Sequence, residues 1–571
     1  MSLPSTGNNS IDSLLYSSWK SAAGQSVSLT YSFLTQVPSD ATSSDANGFK
    51  PMDATQQQAV RDALATWSAV ANITFTEVAT GGKIELATNN QGAGSSGYAY
   101  LPDRSGASVA LYTNNAAGVN LTFAPGDFGM SVMIHELGHT LGLKHPGDYD
   151  SSGGTIDGPF LPAATDNIDY SQMSYNTGAG FKLNGNYGIT PMLYDIQAIQ
   201  YMYGANMSYH TGADTYSFSK DAALQCIWDA GGTDTLDFSA CATATIINLN
   251  AGTFSETAPG YKNISIAYNV TIERAIAGSG GSTIYANAAG NVISGGAGND
   301  TIYEGAGNDQ ISGGGGRDTV VFAKALSAFT ISGTTGALTV TGDGVDTLTN
   351  IGTLQFDGKN IDLSAFQSVL GGTANNDILT AGNGDQLITG GAGIDVLKFS
   401  GSRSDYQVGA SGAGFAVVDR VGNGGSDLLG GVERLQFANG VGVALDIDAA
   451  AGQTYRLYQA AFNRTPDAGG VGFWLDQLDH GLSLTKMAQY FLDSPESVRT
   501  YGALTDTAFV TVMYANVLHR APDASGLSFY LDGFSAGAFT RAEVLKGFSE
   551  SPENQAAVIG SITNGVEYTI V

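Results

Sequence analysis

Cysteine is almost absent from this chain, with only Cys226 and Cys241 in 571 residues. A fold of this length therefore does not rest on a disulfide framework. The pair is open to two readings, a staple between neighbouring strands or two buried thiols, because spacing alone supplies no bridging geometry. Positive charge is scarce as well: Lys and Arg number 24 against 52 Asp and Glu, a formal net charge of −28. So acidic a surface argues against nucleic acid and against anionic membranes as partners. No apolar run approaches the roughly 18 residues of a membrane-spanning helix. The N-terminus, M-S-L-P-S-T-G-N-N-S-I-D, lacks both a basic region and an apolar one, so no N-terminal signal peptide is expected. Glycine, in contrast, is plentiful at 77 residues. The length leaves room for roughly three or four domains, each able to bury a core.

The densest chemistry lies between Ser131 and Pro146, where His135-Glu136-x-x-His139-x-x-Gly142-x-x-His145 sets five residue types at fixed offsets. Positions i and i+4 share a helix face, so His135 and His139 present two imidazoles to one point. Gly142 can end that helix in left-handed geometry, and the turned chain brings His145 round as a third nitrogen. Three nitrogens with an open fourth position describe a catalytic zinc site rather than a closed structural one. Glu136, beside the first ligand, is placed to take a proton from the attacking water.

Ahead of this stretch, helix and strand alternate. A short amphipathic helix is expected from Ile11, capped by Ser10, with Leu15 and Trp19 four apart. A strand at Val27–Phe33 precedes a long helix from Asp53 to Val70, with Asp53 as cap and Val60, Ala63, Leu64 and Trp67 at helical spacing. Strands at Ile73–Val78 and Lys83–Ala87 follow, then Tyr98-Ala99-Tyr100-Leu101. After His145 come a Gly/Asp/Ser-rich loop, the segment Tyr170-Ser171-Gln172-Met173-Ser174-Tyr175 and a helix over Met192–Met202. The interleaving reads as a mixed α/β domain.

The zinc motif with its continuation His145-Pro146-Gly147-Asp148-Tyr149, together with Met173-Ser174-Tyr175 and Ile199-Gln200-Tyr201-Met202-Tyr203-Gly204, resembles the serralysin family of secreted metzincin endopeptidases. The resemblance implies that Met173 forms a turn flooring the zinc site. It also implies that Tyr175 ligates the resting metal and swings to stabilise the tetrahedral intermediate. Without the zinc motif, an ordinary core methionine and a buried ring with a satisfied hydroxyl are the alternatives. Tyr98, Ala99 and Tyr100 resemble the family's upper edge strand, along which substrate lies extended. Asp229 and Asp234, in Cys226–Asp237, and Glu273, in Val270–Glu273, resemble calcium-ligand segments of the same family; each is otherwise a solvated turn carboxylate.

From 286 a nine-residue repeat runs A-N-A-A-G-N-V-I-S, G-G-A-G-N-D-T-I-Y, E-G-A-G-N-D-Q-I-S, G-G-G-G-R-D-T-V-V. Ile293, Ile302, Ile311 and Val320 hold the apolar phase, Ile284 extends it upstream, and Asp300, Asp309 and Asp318 hold the acidic one. This is the calcium-binding RTX repeat. Glycine permits the tight turns and exposes carbonyls, aspartate completes an oxygen shell, and the apolar residue fills the roll. A second array spans 372–398 with anchors Leu379, Ile388 and Leu397. It carries Asp377 and Asp395, but Gln386 stands in the middle acidic slot, so fewer or weaker calcium sites are expected there. The segment after each array is duplicated too: Asp346–Phe356 matches Asp427–Phe437 at a constant offset of 81 residues. These segments read as strands capping the open end of each roll, with no chemistry of their own.

Beyond 450 the pattern turns helical. Tyr458–Gly470 repeats as Tyr514–Gly526, each with Pro-Asp between two periodic runs, so each unit reads as a helical hairpin. The repeat resembles a domain of unknown function found at the ends of bacterial RTX and surface-layer proteins. A packed helical module without catalysis is the expectation, and His480 and His519 receive no metal role. The last residues, Glu567-Tyr568-Thr569-Ile570-Val571, resemble the uncleaved signal of proteins exported by ABC-type machinery.

The expected fold is multidomain α+β. A metzincin-type α/β catalytic domain occupies 1–206, a parallel β-roll domain follows in two modules at 207–370 and 371–448, and an all-α domain occupies 449–571. The expected function is a secreted, calcium-stabilised endopeptidase with one catalytic zinc, several structural calcium ions and protein or peptide substrates. Its alternative is a surface-layer or adhesive protein, or a cell-associated protease processing surface-layer components.

Overall fold

The computed structural model describes residues 3–103, 105–117, 121–149, 158–181, 186–502 and 504–571, which fall into two units, Met1–Val320 and Val321–Val571. In the first unit, helix α1 (Asn9–Asp12) is shorter than the sequence pattern suggests and is capped by Asn8, not Ser10. The chain is diverted by tertiary partners. Asp12 accepts the amides of Thr6 and Gly7, at 2.8 and 2.9 Å. Leu15 bridges Leu143, and the Trp19 indole donates to Thr140 O at 2.8 Å. Leu15 and Trp19 therefore serve the segment that carries the histidines rather than a helix of their own.

Five strands form one sheet: β1 (Val27–Phe33), β2 (Ile73–Glu77), β3 (Ile84–Asn89), β4 (Gly97–Ala99) and β5 (Val109–Asn114), in the order β2-β1-β3-β5-β4. All pairings are parallel except β4 against β5. Helix α2 (Ser43–Ala46) precedes α3 (Ala54–Val70), which starts in a capping box between Asp53 and Gln56. Its apolar face buries Val60, Ala63, Leu64 and Trp67. Trp67 lies wholly inside, and its indole N–H donates to Ile134 O of the next helix at 3.2 Å. That helix, α4 (Phe128–Leu141), is buried along almost its whole length and ends at Gly142 with φ 110°. A buried helix sheathed on all sides holds its side chains to one geometry, which a metal-ligand helix requires. Helix α5 (Leu193–Tyr203) follows. The loop expected after His145 lies in part, over 150–157, outside the described residues.

From Thr215 the chain winds into a roll. Strands Arg274–Ile276, Val292–Ser294 and Gln310–Ser312 pair in parallel in one sheet, and Thr245–Asn248, Ser282–Tyr285 and Thr301–Tyr303 in another. Val292 meets Gln310 and Thr283 meets Thr301, so one full turn is two nonapeptides. The anchors Ile284, Ile293, Ile302, Ile311 and Val320 are all buried between the sheets. Cys226 and Cys241 are buried free thiols, the second of the two readings.

The second unit begins with an antiparallel meander (Thr330–Thr334, Ala337–Thr341, Val345–Thr349) and the hairpin Thr353–Phe356 with Lys359–Asp362. A second roll follows, in which Ile378–Thr380 pairs in parallel with Val396–Phe399 and that strand with Arg434–Phe437. The duplication shows in the packing: Phe322 stacks on Phe356 at 4.8 Å and Phe399 on Phe437 at 5.2 Å. Helices α6 (Ala450–Phe462) and α7 (Ala468–Asp479) recur as Asp506–Leu518 and Ala524–Ser535, with Asp467 and Asp523 as the caps of the second helices. The final strand, Val566–Thr569, pairs antiparallel with Val441–Ala444. Among the described residues no helix is long and apolar enough to cross a membrane.

Candidate active site

Three imidazoles converge at the end of α4. His145 Nε2 lies 3.2 Å from His135 Nε2 and 3.1 Å from His139 Nε2. Each helix histidine is oriented from behind, because its Nδ1–H donates to a backbone carbonyl: His135 to Gln172 at 2.7 Å, His139 to Leu143 at 2.8 Å. That tautomer leaves both Nε2 lone pairs aimed inward. Burial holds the imidazolium form down, to about 4 for His135 and well below the usual value for His139, so both rings are neutral donors at physiological pH. A tetrahedral zinc with Zn–N of about 2.0–2.1 Å puts its nitrogens about 3.3 Å apart, and the observed spacing fits it.

Met173, expected to floor the site, is fully buried. A Cβ at Gly138 would lie 2.6 Å from its Sδ and 3.2 Å from the Trp67 ring, so only glycine lets the helix sit on the methionine. Tyr175 is 52% exposed, its ring 4.4 Å from the His145 ring and 4.9 Å from Tyr149, on which it stacks. Tyr149 is itself held: its hydroxyl donates to Asp166 at 2.7 Å and accepts from the Tyr175 amide at 3.3 Å.

Glu136 lies beside β4. A Cβ at Gly97 would lie 3.2 Å from Glu136 Oε1, so the edge strand passes directly beside this carboxylate. Its Oε2 is buried with no hydrogen-bond partner. Burial alone pushes this carboxyl up to about 8, near the range in which a group can both take and return a proton at neutral pH. Tyr98 and Tyr100 turn their hydroxyls to Asp45, at 2.6 and 3.1 Å, so β4 is anchored by its side chains. Ala99 lies between them, in the strand at the sheet's edge.

Sequence reasoning passed over the residue that supports the floor. Asp195, in the first turn of α5, is fully buried and accepts from Ser171 Oγ (2.6 Å), Gln172 N (2.7 Å) and Met192 N (2.8 Å). Gln172 O in turn receives the His135 proton, so the carboxylate orients His135 through one residue. Its only signal in the chain is an acid at a helix start, which is commonplace. Replacing Asp195 with Ala strands three buried donors. The expected result is a loss of stability of roughly 3 kcal/mol and zinc binding weakened about 10- to 100-fold, read by chelator competition.

The expected calcium residues divide into two groups. Asp229 accepts from Tyr216 Oη (2.7 Å) and Gly231 N (2.8 Å), and Asp234 N donates to Glu273 Oε2 at 2.7 Å. His210 and Asp214, not foreseen, stand with Asp229 in one group of donor atoms. In the rolls, Asp300, Asp309, Asp318 and Asp395 each use Oδ1 to accept an amide 18 residues back. The second oxygens of Asp234, Asp300, Asp318 and Asp395 are buried and unpartnered, the arrangement expected of carboxylates made for a cation. Asp377 differs: it is half-buried, and its Oδ2 accepts from Thr373 N and Oγ1, at 2.6 and 2.9 Å.

Several segments of the chain match known family models. Residues 42–146 match the metallopeptidase family M12B reprolysin-like model, and 194–367 the peptidase M10 serralysin C-terminal model. Residues 369–397 match the RTX calcium-binding nonapeptide repeat, and 454–499 and 488–558 a domain of unknown function, DUF4214. The chain is 38% identical over 293 residues to metalloprotease AprA of Pseudomonas entomophila, covering 47% of this chain and 60% of that protein. It is 41% identical over 286 residues to serralysin C of Dickeya chrysanthemi (45% and 58%). Against serralysin of Proteus mirabilis it is 37% identical over 317 residues (48% and 63%). The chain thus spans about three fifths of the length of the curated relatives it matches. With its zinc-fitting histidine triad, its serralysin C-terminal region and its RTX repeats, the chain is serralysin-like.

Proposed function

We propose that this protein is a calcium-stabilised zinc endopeptidase that hydrolyses proteins outside the cell. The observation that carries the reading is the placement of Glu136, next to His135 in α4, with its carboxylate beside the edge strand β4. A peptide extended along that edge pairs through its backbone and brings a scissile carbonyl to the carboxylate. Broad sequence preference follows, since backbone pairing is indifferent to side chains. Zinc, when bound, supplies Lewis-acid polarisation and lowers the pKa of water toward neutrality. Glu136 takes the proton from the attacking water and returns it to the leaving amine. Tyr175, stacked on Tyr149 beside His145, would help hold the zinc at rest and would donate its hydroxyl to the developing oxyanion.

The chain reads as four modules at 1–206, 207–370, 371–448 and 449–571, with catalysis confined to the first. Export by ABC-type machinery suits the RTX arrays: without calcium their buried carboxylates disfavour the folded roll, so the chain stays threadable until it meets extracellular calcium. The full-length protein, freed of metal by chelation, should lose cleavage of a peptide library and regain it on addition of one equivalent of zinc. Undiminished cleavage after complete zinc removal rules the reading out.

A further inference from the structure

We propose that the capping segment of the second roll closes one more calcium site, built on Asp395, Gly431 and Glu433, outside the nonapeptide repeats. The inference rests on the calcium reading of the repeats and extends it to a segment that no repeat covers. Within the repeats one arrangement occurs in both arrays. The glycine five residues before Asp300, and likewise that before Asp377, lines a space shared by the aspartate's Oδ2 and a carbonyl from the next turn. A Cβ at Gly295 would lie 2.6 Å from Asp300 Oδ2 and 2.4 Å from Gly313 O. At Gly372 it would lie 2.9 Å from Asp377 Oδ2 and 2.2 Å from Gly390 O.

The same arrangement recurs where the repeats have ended. A Cβ at Gly390 would lie 2.5 Å from Asp395 Oδ2 and 1.9 Å from Gly431 O. Asp395 is wholly buried, and that oxygen has no hydrogen-bond partner. By the repeat period the next acid would stand at 413, which is Ala413 in the excursion through Tyr406–Ser411 and Gly414–Asp419. The chain returns at Arg434–Phe437 in parallel register with Val396–Phe399, Val396 opposite Arg434. Glu433 then fills the vacant rung, accepting the Asp395 amide through Oε2 at 2.8 Å, as Asp395 accepts that of Asp377 at 2.7 Å. Glutamate has one methylene more than aspartate, and it reaches this amide from a turn in which only Val432 separates it from Gly431. Asp395 Oδ2 and the Gly431 carbonyl thus face one glycine-lined space, with the Glu433 carboxylate on the adjoining rung, a donor set of hard oxygens suited to calcium.

The neighbouring cation does not neutralise the pair. Arg434 is committed to Asp446 at 2.6 Å and Asp479 of α7 at 2.7 Å, while its Nη1 also donates to Glu433 O at 3.0 Å. An ion here would therefore steady the turn from which Arg434 grips the helical region. The capping segment of the first module has no counterpart: at the offset of 81 residues, Asn350 and Gly352 stand where Gly431 and Glu433 stand.

The test counts calcium in the full-length protein by isothermal titration, comparing wild type with Glu433→Gln. The glutamine keeps an acceptor for the Asp395 amide but removes the charge, so the expected result is one calcium fewer per chain with the others unchanged. An unchanged count overturns the site. Where Glu433→Gln does not fold, Glu433→Asp keeps the charge on a shorter arm and should weaken one site about tenfold. Unchanged affinities in that variant overturn the proposal equally. If wild type itself takes up no calcium, the reading of the repeats fails and this site with it.

Discussion

A Glu136→Gln protein should keep its zinc and lose about 10²- to 10⁴-fold in kcat against casein, with KM little changed. The substitution preserves shape, and the metal's nitrogens are held by Gln172 O and Leu143 O rather than by Glu136. What disappears is the carboxylate beside Gly97 of β4, the group proposed to accept a proton and give it back. Zinc content by metal analysis and turnover by peptide release must both be read. Turnover near wild type with zinc retained would assign the base elsewhere. Loss of zinc together with turnover would make Glu136 a structural support instead.

Calcium removal should unfold both rolls. In the calcium-free state Asp300, Asp318 and Asp395 each carry a buried oxygen with no partner, and an uncompensated buried charge costs several kcal/mol. Far-UV circular dichroism should show parallel-strand signal with millimolar calcium and its loss with chelator; equal strand content in the two conditions sinks this expectation. Acid should partly replace calcium. Burial, reinforced by Asp318, pushes Asp300 up to about 7 in the calcium-free fold from an ordinary 3.8, and burial moves Asp318 and Asp395 in the same direction. A raised folded pKa means that folding takes up a proton between those values. Chelated protein therefore loses stability as pH rises from about 4 to about 7, and the loss is complete above that. Strand signal in chelator should thus be stronger at pH 5 than at pH 8.

The histidine cluster was legible because a helix forces i and i+4 onto one face, and the repeats because a nonapeptide written several times leaves no other phase for Asp and Ile. The same logic misjudged the segment after Ile11. Leu15 and Trp19 have helical spacing, but the strand bridge to Leu143 and the bond to Thr140 O outweigh the weak propensity of a short isolated helix. Asp195 was invisible for a related reason: an acid at a helix start has a local explanation, and its second partner, the Ser171–Gln172 turn, lies more than twenty residues away.

By itself, then, the sequence determined what is periodic and local: the histidine triad and its adjacent acid, the roll's anchors and carboxylates, the helical hairpins and their Asp caps. Tertiary structure alone decided which oxygens of those carboxylates are left without a partner, that Glu136 lies against Gly97 of the edge strand, and that Glu433 completes a rung begun by Asp395. The last two join segments whose separation in the chain follows no period, and the energy that selects them comes from burial and hydrogen bonding across the fold.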